Sequence, residues 1–462
     1  MTTIAEIPAT LAVDEKRYRR SADVRPIHIT AGEQTVFVEL RRVLHLVQGG
    51  KLRVQPKSGR PTPATVRAMS EALAAPDLDL ELPKAHHNRE TLIAGPIRAY
   101  AWTILLQQCG WCKASGETLK LTKDGQHLLH GPSPELFREG VRRLCVDDRF
   151  DELTRIDHIR GQTGNAKRWL SDPAERRDEI IEGMANWPVN EWLEFDEACR
   201  FLSACGNWFE VSENPMAMYF AEQRYGYLSD DDEICRQYLR VFLMESLATL
   251  GLVDVAYVYP HYLWPEFSGN WGVEGLDFCG RYDGLLYVRL TGLGAYCVGS
   301  ATEYKAPAAE RRKLFAVVGE EEIVIAEGQI PNSADVAMLE LFSSREHQNT
   351  FRVATNRILD YMESGGSLDD LLAYLEENSA NDIPASFRER FEALQAQVNS
   401  VTGMEDAWLI EFASPRTAAT VTGDPQAGKL CVPAGATCVA VAKSREKAFR
   451  AAIKKLGYVL PR

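Results

Sequence analysis

Two segments of the chain obey one local rule, and that rule restricts the fold more than any bulk property does. LKLTKDGQHLL (Leu119 to Leu129) and YVRLTGLGAYCV (Tyr287 to Val298) each run as a short strand, a Thr, two residues and a Gly. Each also follows an apolar helix. In the first case this is IRAYAWTILLQQCGW; in the second, YLRVFLMESLATLGLVDVAYV reads as helix then strand. Helix, strand, turn and short helix, used twice, predict an internal repeat of compact α+β units.

That order of elements is of winged-helix type, and the rest of the chain extends it. VFVELRRVLHLV has apolar side chains at helical spacing, and Gly49-Gly50 stops it. KLRV reads as extended, Pro56 to Pro63 as a turn-rich loop, and ATVRAMSEAL as a helix capped by Thr62 or Thr65. Helix, turn and second helix with a basic connection predict a helix-turn-helix-like unit. At 462 residues several folded units are expected. The divisions predicted are a flexible leader (1–25), the basic helix-turn-helix-like unit (26–83) and a winged-helix-like unit (84–149). A helical connecting region (150–230), a second winged-helix-like unit (231–305), a helical domain (306–400) and a small α/β domain (401–462) complete them. The fold class predicted is α+β, mostly helical and multi-domain.

Composition enters as exclusion. With 45% hydrophobic and 25% charged residues, the chain is not collagen-like, disordered or a disulfide scaffold. It has no run of eighteen apolar residues, so no membrane partner is expected. The first residues, MTTIAEIPATLAVDEKRYRR, lack the apolar core of a secretory signal. Ten Cys scattered through apolar segments fit reduced thiols, and a cytoplasmic location is expected.

Charge then limits function. Lys and Arg number 52 against 65 Asp and Glu, a formal charge of −13, which excludes a general polyanion binder. Any nucleic-acid surface must be a local basic island. Leu40 to Ser70 contains no acid, yet holds Arg41, Arg42, Lys51, Arg53, Lys57, Arg60 and Arg67. Arg155, Arg160, Lys167 and Arg168 form a second candidate around a GQTGN turn, diluted by Asp147, Asp148, Asp151 and Glu152. These cations are the predicted DNA contacts, through phosphates.

Three chemical motifs compete with that reading. Gly423 to Lys429 matches G-x-x-x-x-G-K, but Leu430 stands where Mg²⁺ needs Ser or Thr, and LCVPAG reads as strand and turn. A hairpin turn is expected there. Cys109-x₂-Cys112 with His127-x₂-His130 approaches a structural zinc spacing, although core Cys and exposed His explain it as well. Asp283 with Glu303-x-Lys305 has the order of a PD-(D/E)xK nuclease, in which two carboxylates hold Mg²⁺ and Lys polarises the attacking water. Neither metal nor cofactor is assigned on these grounds.

The carboxy-terminal third resembles the helicase-associated domain of bacterial proteins related to the N-terminal region of XPB-type DNA helicases. The residues carrying the resemblance are IVIAEGQI, FRVATNRILDYMESGGSLDDLLAYLEENSANDIPASFRERF and the final AFRAAIKKLGYVLP. GGKLRVQPKSGRPTPATVRAMSEAL, FDELTRIDHIRGQTG, ATLGLVDVAYV and RYDGLLYVRLTGLGAY are similar to other parts of such proteins. The resemblance implies winged-helix units, a carboxy-terminal helicase-associated domain and a helicase or nuclease partner. The chain has no room for two ATPase lobes. The function expected is therefore a non-catalytic DNA-binding accessory protein in bacterial DNA repair or anti-phage defence. A Mg²⁺-dependent nuclease or a winged-helix transcription regulator is the alternative.

Overall fold

Short strands and short helices succeed one another along the chain, and the result is a mixed α+β fold with small antiparallel sheets. The computed structural model describes residues 1–13, 23–74, 77–78, 96–221, 231–261, 263, 273, 276, 278–305, 313–329, 331, 333–363, 366–398, 400 and 405–461. Two segments whose composition reads as linkers, APDLDLELPK (75–84) and KAPAAERRK (305–313), lie mostly outside these residues. Two units form, Met1–Arg388 and Glu389–Arg462.

In the larger unit the first residues are not a loose leader. β1 (Thr10–Val13) pairs with β2 (Asp23–Pro26), and the Arg25 guanidinium is buried, donating to the carbonyls of Tyr259 and His261. β3 (His28–Thr30) joins a sheet built from residues far along the chain, so local reading had no partner to find. α1 (Val36–Gln48) buries its apolar face and stops at Gly49. α2 (Pro63–Ala72) starts at Thr62, whose Oγ1 accepts from the Thr65 amide, with Pro63 in the first turn. α3 (Arg98–Gln108) is capped from outside: the Asp77 carboxylate accepts from the amides of Ile97, Arg98 and Ala99. Then come β4 (Cys112–Ser115), β5 (Thr118–Leu121), α4 (Lys123–His130) and α5 (Pro134–Cys145).

The segments read as two units, 26–83 and 84–149, share one sheet. Leu52 to Val54, between α1 and α2, lies antiparallel to β5: Arg53 bridges Thr118, and the Val54 amide donates to the Glu117 carbonyl over 2.8 Å. The order across the sheet is therefore Leu52–Val54, β5, β4. A buried ion pair fixes the helices beneath it. Glu39 of α1 pairs with Arg98 of α3, both fully buried, and also accepts from Trp102 Nε1 over 3.2 Å.

The same plan recurs. β6 (Ile159–Arg160) precedes α6 (Pro173–Met184), β7 (Trp192–Glu194) and α7 (Phe195–Ala204); β8 (Tyr219–Phe220) pairs back onto β6. α8 (Asp231–Val241) runs on as a π-helical turn, Phe242–Leu247, into β9 (Val253–Tyr257). β10 (Leu285–Leu290) and α9 (Gly292–Val298) finish the motif. Across the sheet the order is β3, β9, β10, β7, with β10 between β9 and β7, so 150–230 and 231–305 also share a sheet. The buried ion pair recurs in kind: Glu152 accepts from Arg177 over 2.9 Å and from the Tyr238 hydroxyl over 2.8 Å.

The matched Thr and Gly explain the repeat. Thr122 Oγ1 donates to the carbonyls of Gly110 and Trp111 at 2.8 and 2.9 Å and accepts from the Gly125 amide. Thr291 Oγ1 donates to Gly251 and Leu252 at 2.8 and 3.0 Å and accepts from Gly294. Each Thr clamps a helix start onto the turn between the preceding helix and strand, and that turn needs positive φ, +73° at Gly110 and +67° at Gly251. A Cβ on Gly125 would sit 2.0 Å from the Trp111 carbonyl oxygen, and one on Gly294 2.0 Å from that of Leu252. Only Gly fits either place.

Beyond them β11 (Phe315–Val318), β12 (Glu322–Ile325), α10 (Ser333–Phe342), β13 (Ser343–His347), β14 (Thr350–Val353) and α11 (Thr355–Glu363) follow one another. This region, expected to be helical, carries a four-stranded sheet ordered β11, β12, β14, β13. Here Ala354 occupies the place of the clamping Thr, its amide donating to the Phe342 carbonyl over 3.0 Å. α12 (Leu368–Asn378), capped by Ser367, and α13 (Ala385–Val398) come next. The smaller unit holds β15 (Ala407–Glu411), α14 (Pro415–Gly423), β16 (Val432–Pro433), β17 (Cys438–Ala442) and α15 (Glu446–Lys455). Its sheet order is β15, β17, β16, over a core of Val421, Val439, Val441, Phe449 and Ile453.

Candidate nucleic-acid interface

The acid-free island divides once folded. Lys51, Arg53, Lys57 and Arg67 are exposed. Arg41, half-buried, gives a bidentate pair to Glu377 of α12 at 2.8 and 2.9 Å. Arg42 lies on the buried face of α1, 8% exposed, within 4.0 Å of Asp335 and 3.4 Å of the Ala72 carbonyl. Arg60 is half-buried in a crevice shared with Tyr100, Phe150, Arg155 and Glu245. The exposed four come from segments the backbone ties together. The Thr65 hydroxyl donates to the Arg53 carbonyl over 2.6 Å and accepts from the Arg53 amide over 2.7 Å, pinning α2 to the strand. Gln55 and Arg60 close the Lys57 loop through a 2.8 Å backbone bond.

The sheet adds cations that spacing alone did not reveal. Lys113 on β4 and Lys120 on β5 stand directly opposite each other, both exposed. Ser115 opposes Thr118, and Thr118 bridges Arg53, so Arg53, Lys113 and Lys120 share one face of the sheet. Leu52, Val54, Cys112 and Leu119 fill the other, buried face. Like charges directly opposed across strands are destabilising, which makes the Lys113–Lys120 pair a poor choice for stability alone. Glu117 at the hairpin turn and Glu71 on α2 are the exposed acids nearby in sequence; Glu117 lies 3.4 Å from Arg53, with both side chains solvated. The signal in the sequence was CKASGETLK, a Gly turn with Lys placed symmetrically about it. Sequence pattern places a strand at GETLKLTK but assigns no element to Cys112–Ser115, so Lys113 has no partner strand until the hairpin is seen.

The second candidate cluster also separates. Arg155 is a structural cation: its Nε bonds Glu245 at 2.7 and 2.9 Å, and its guanidinium carbon lies 3.7 Å from the Tyr100 ring centroid. The pair with Glu245 raises its pKa further, so it stays charged. Half-buried Arg160 donates to the Ile159 carbonyl over 2.9 Å. Lys167 and Arg168 are exposed on the 3₁₀ turn Gly164–Trp169, with Arg168 over the partly exposed Trp169 ring at 5.1 Å.

The residues of the competing motifs divide between buried and exposed places. Cys109 closes α3, Cys112 sits on β4, and His127 and His130 lie exposed on α4, where His130 pairs with Asp370. Burial pushes both thiols well above the ordinary cysteine range. Asp283 is fully buried, accepting from Gln237 Nε2 and from the amides of Cys279 and Gly280, whereas Glu303 and Lys305 are exposed. Burial pushes the Asp283 carboxyl up to about 7. Among the described residues no group of three or more His, Cys, Asp or Glu could hold a metal ion. Gly423 ends α14 and Gly428–Leu430 is a 3₁₀ turn rather than a hairpin, because Asp424 accepts from the amides of Gln426 and Ala427. Among the described residues no helix is long and apolar enough to cross a membrane. Compared with known proteins, the chain matches no family model and no curated sequence.

Proposed function

We propose that the protein is a non-catalytic DNA-binding accessory factor that holds duplex DNA by its phosphates for a helicase or nuclease partner. The observation carrying this is the cation-bearing edge around Leu52–Val54: Lys51, Arg53, Lys57, Arg67, Lys113 and Lys120 are all exposed on a chain of net charge −13. The order α1, extended strand, α2, α3, β4, β5, with β5 between the extended strand and β4, supports a winged-helix reading of this region. The succession α6, β7, α7, α8, β9, β10 supports a second one. The partner, and a setting in bacterial repair or defence, rest on the resemblance of the carboxy-terminal third.

The test is fluorescence anisotropy of a labelled duplex titrated with the full chain at 50 mM and 200 mM salt. If all six cations meet phosphates, affinity falls about 10³-fold across that range. No binding at 50 mM salt overturns the reading and leaves the edge to an acidic protein surface.

A further inference from the structure

In a winged helix that reads sequence, the third helix enters the major groove and its exposed side chains meet base edges. The third helix of the first motif is closed to that use, and so is the carboxy-terminal half of the third helix of the second. Every residue of α3 except Tyr100 is buried. In α8, Tyr238 to Val241 are buried, as is the whole π-turn that continues it. The two elements pack against each other. Arg155 locks them, stacking on Tyr100 of α3 and bonding Glu245 of the π-turn, which also accepts from the Tyr282 hydroxyl.

What is exposed beside them is one face of the Leu52–Val54, β5, β4 sheet with its adjoining loop, and its chemistry is that of point charges. Lys51, Lys57, Lys113 and Lys120 each carry a compact ammonium, which suits a phosphate and lacks the planar fork that reads guanine bidentately. Of the two arginines there, Arg53 already leans on Glu117. We infer that the β4–β5 hairpin and the Lys51–Lys57 segment grip the backbone of double-stranded DNA without regard to sequence. This rests on the DNA reading above and narrows it. A sequence-reading regulator would need the helices that are locked away. A backbone grip suits a factor that must act wherever its partner acts.

The experiment uses the full chain and labelled duplexes of equal length and unrelated sequence, with unlabelled duplexes as competitors, at 50–200 mM salt. Affinities agreeing within about three-fold are expected, because phosphates carry no sequence information. Lys113→Glu with Lys120→Glu should lower affinity at 50 mM salt at least about ten-fold and reduce the slope of log affinity against log salt by about two. Both lysines are exposed, so an unchanged thermal midpoint shows that the fold survives. As a control, Lys429→Glu in the smaller unit should leave affinity unchanged. One duplex preferred 30-fold or more overturns sequence independence while sparing DNA binding. Unchanged affinity in the double variant overturns the hairpin's role. If no duplex binds at 50 mM salt, both readings fall together.

Discussion

The two Thr-clamped motifs are alike in their interiors and unlike at their hairpins. Thr122 and Thr291 make the same pair of carbonyl contacts and the same amide contact, above glycines that a methyl group would displace. At the surface the resemblance stops. β4 and β5 are joined by the tight turn Gly116-Glu117 and carry Lys113 and Lys120, whereas β9 and β10 are separated by a long connection. Part of that connection is held inside the molecule by Arg25, through the carbonyls of Tyr259 and His261. A clamp that fixes how helix meets strand leaves the hairpin free to vary. One copy presents charge at its hairpin; in the other, the start of the connection is held by the buried Arg25.

The comparison breaks hardest at the buried ion pairs. Glu39→Ala removes the buried carboxylate beside Arg98, and Glu152→Ala the one beside Arg177; each should destabilise by about 3–5 kcal/mol, read from urea midpoints. A loss below about 1 kcal/mol in one copy alone would show that the two networks are not equivalent.

Titration separates the copies by sign. Burial in α1, with Arg41 adding to it, lowers His45 to about 4, below its unfolded value of 6.5. The folded state then binds fewer protons, so stability present above pH 6.5 is lost as pH falls, by about 2 kcal/mol at pH 5. Asp283 runs the other way. Its carboxyl, raised by burial to about 7, favours the folded state below the unfolded value of 3.8, and that stability is lost as pH rises through 7. By pH 8 the loss amounts to about 4 kcal/mol. Between pH 5 and 7, His45→Leu should remove a fall of the thermal midpoint toward acid, and Asp283→Asn a fall of the midpoint toward neutral pH. Unchanged profiles in both variants would assign the pH response elsewhere.

The smallest expected effect sharpens the likeness instead. Gly125→Ala and Gly294→Ala must each push a carbonyl aside and should destabilise by about 1–3 kcal/mol, equally in the two copies. Unequal losses would mean that one clamp can yield and the other cannot.

The local parts of this fold were legible and the non-local parts were not. α1 with its Gly49 stop, Thr62 at the head of α2 and the matched Thr-Gly segments follow from neighbours within a few residues. The pairing of Leu52–Val54 with β5 spans two helices, and β7 meets β10 across most of the second motif, so division by linkers cut both sheets in two. In the candidate interface, absence of acids located Lys51, Arg53, Lys57 and Arg67 but did not separate them from Arg42. The side of α1 on which an arginine falls decides whether it meets water or Asp335. Lys113 and Lys120 needed the hairpin register, because only one of the two strands, that of Lys120, is visible in the sequence pattern.

The π-turn at Phe242–Leu247 sets the phase of the second motif. An α-helix advances about 100° per residue, and a π-turn takes up roughly one extra residue before closing its hydrogen bonds. The slip lies just upstream of Gly251, the turn that feeds β9, and within it Glu245 faces Arg155 and Tyr282. Deleting one residue there would restore a regular helix and rotate all that follows by about a third of a turn. The mating of the two copies thus depends on a helix kept deliberately out of step.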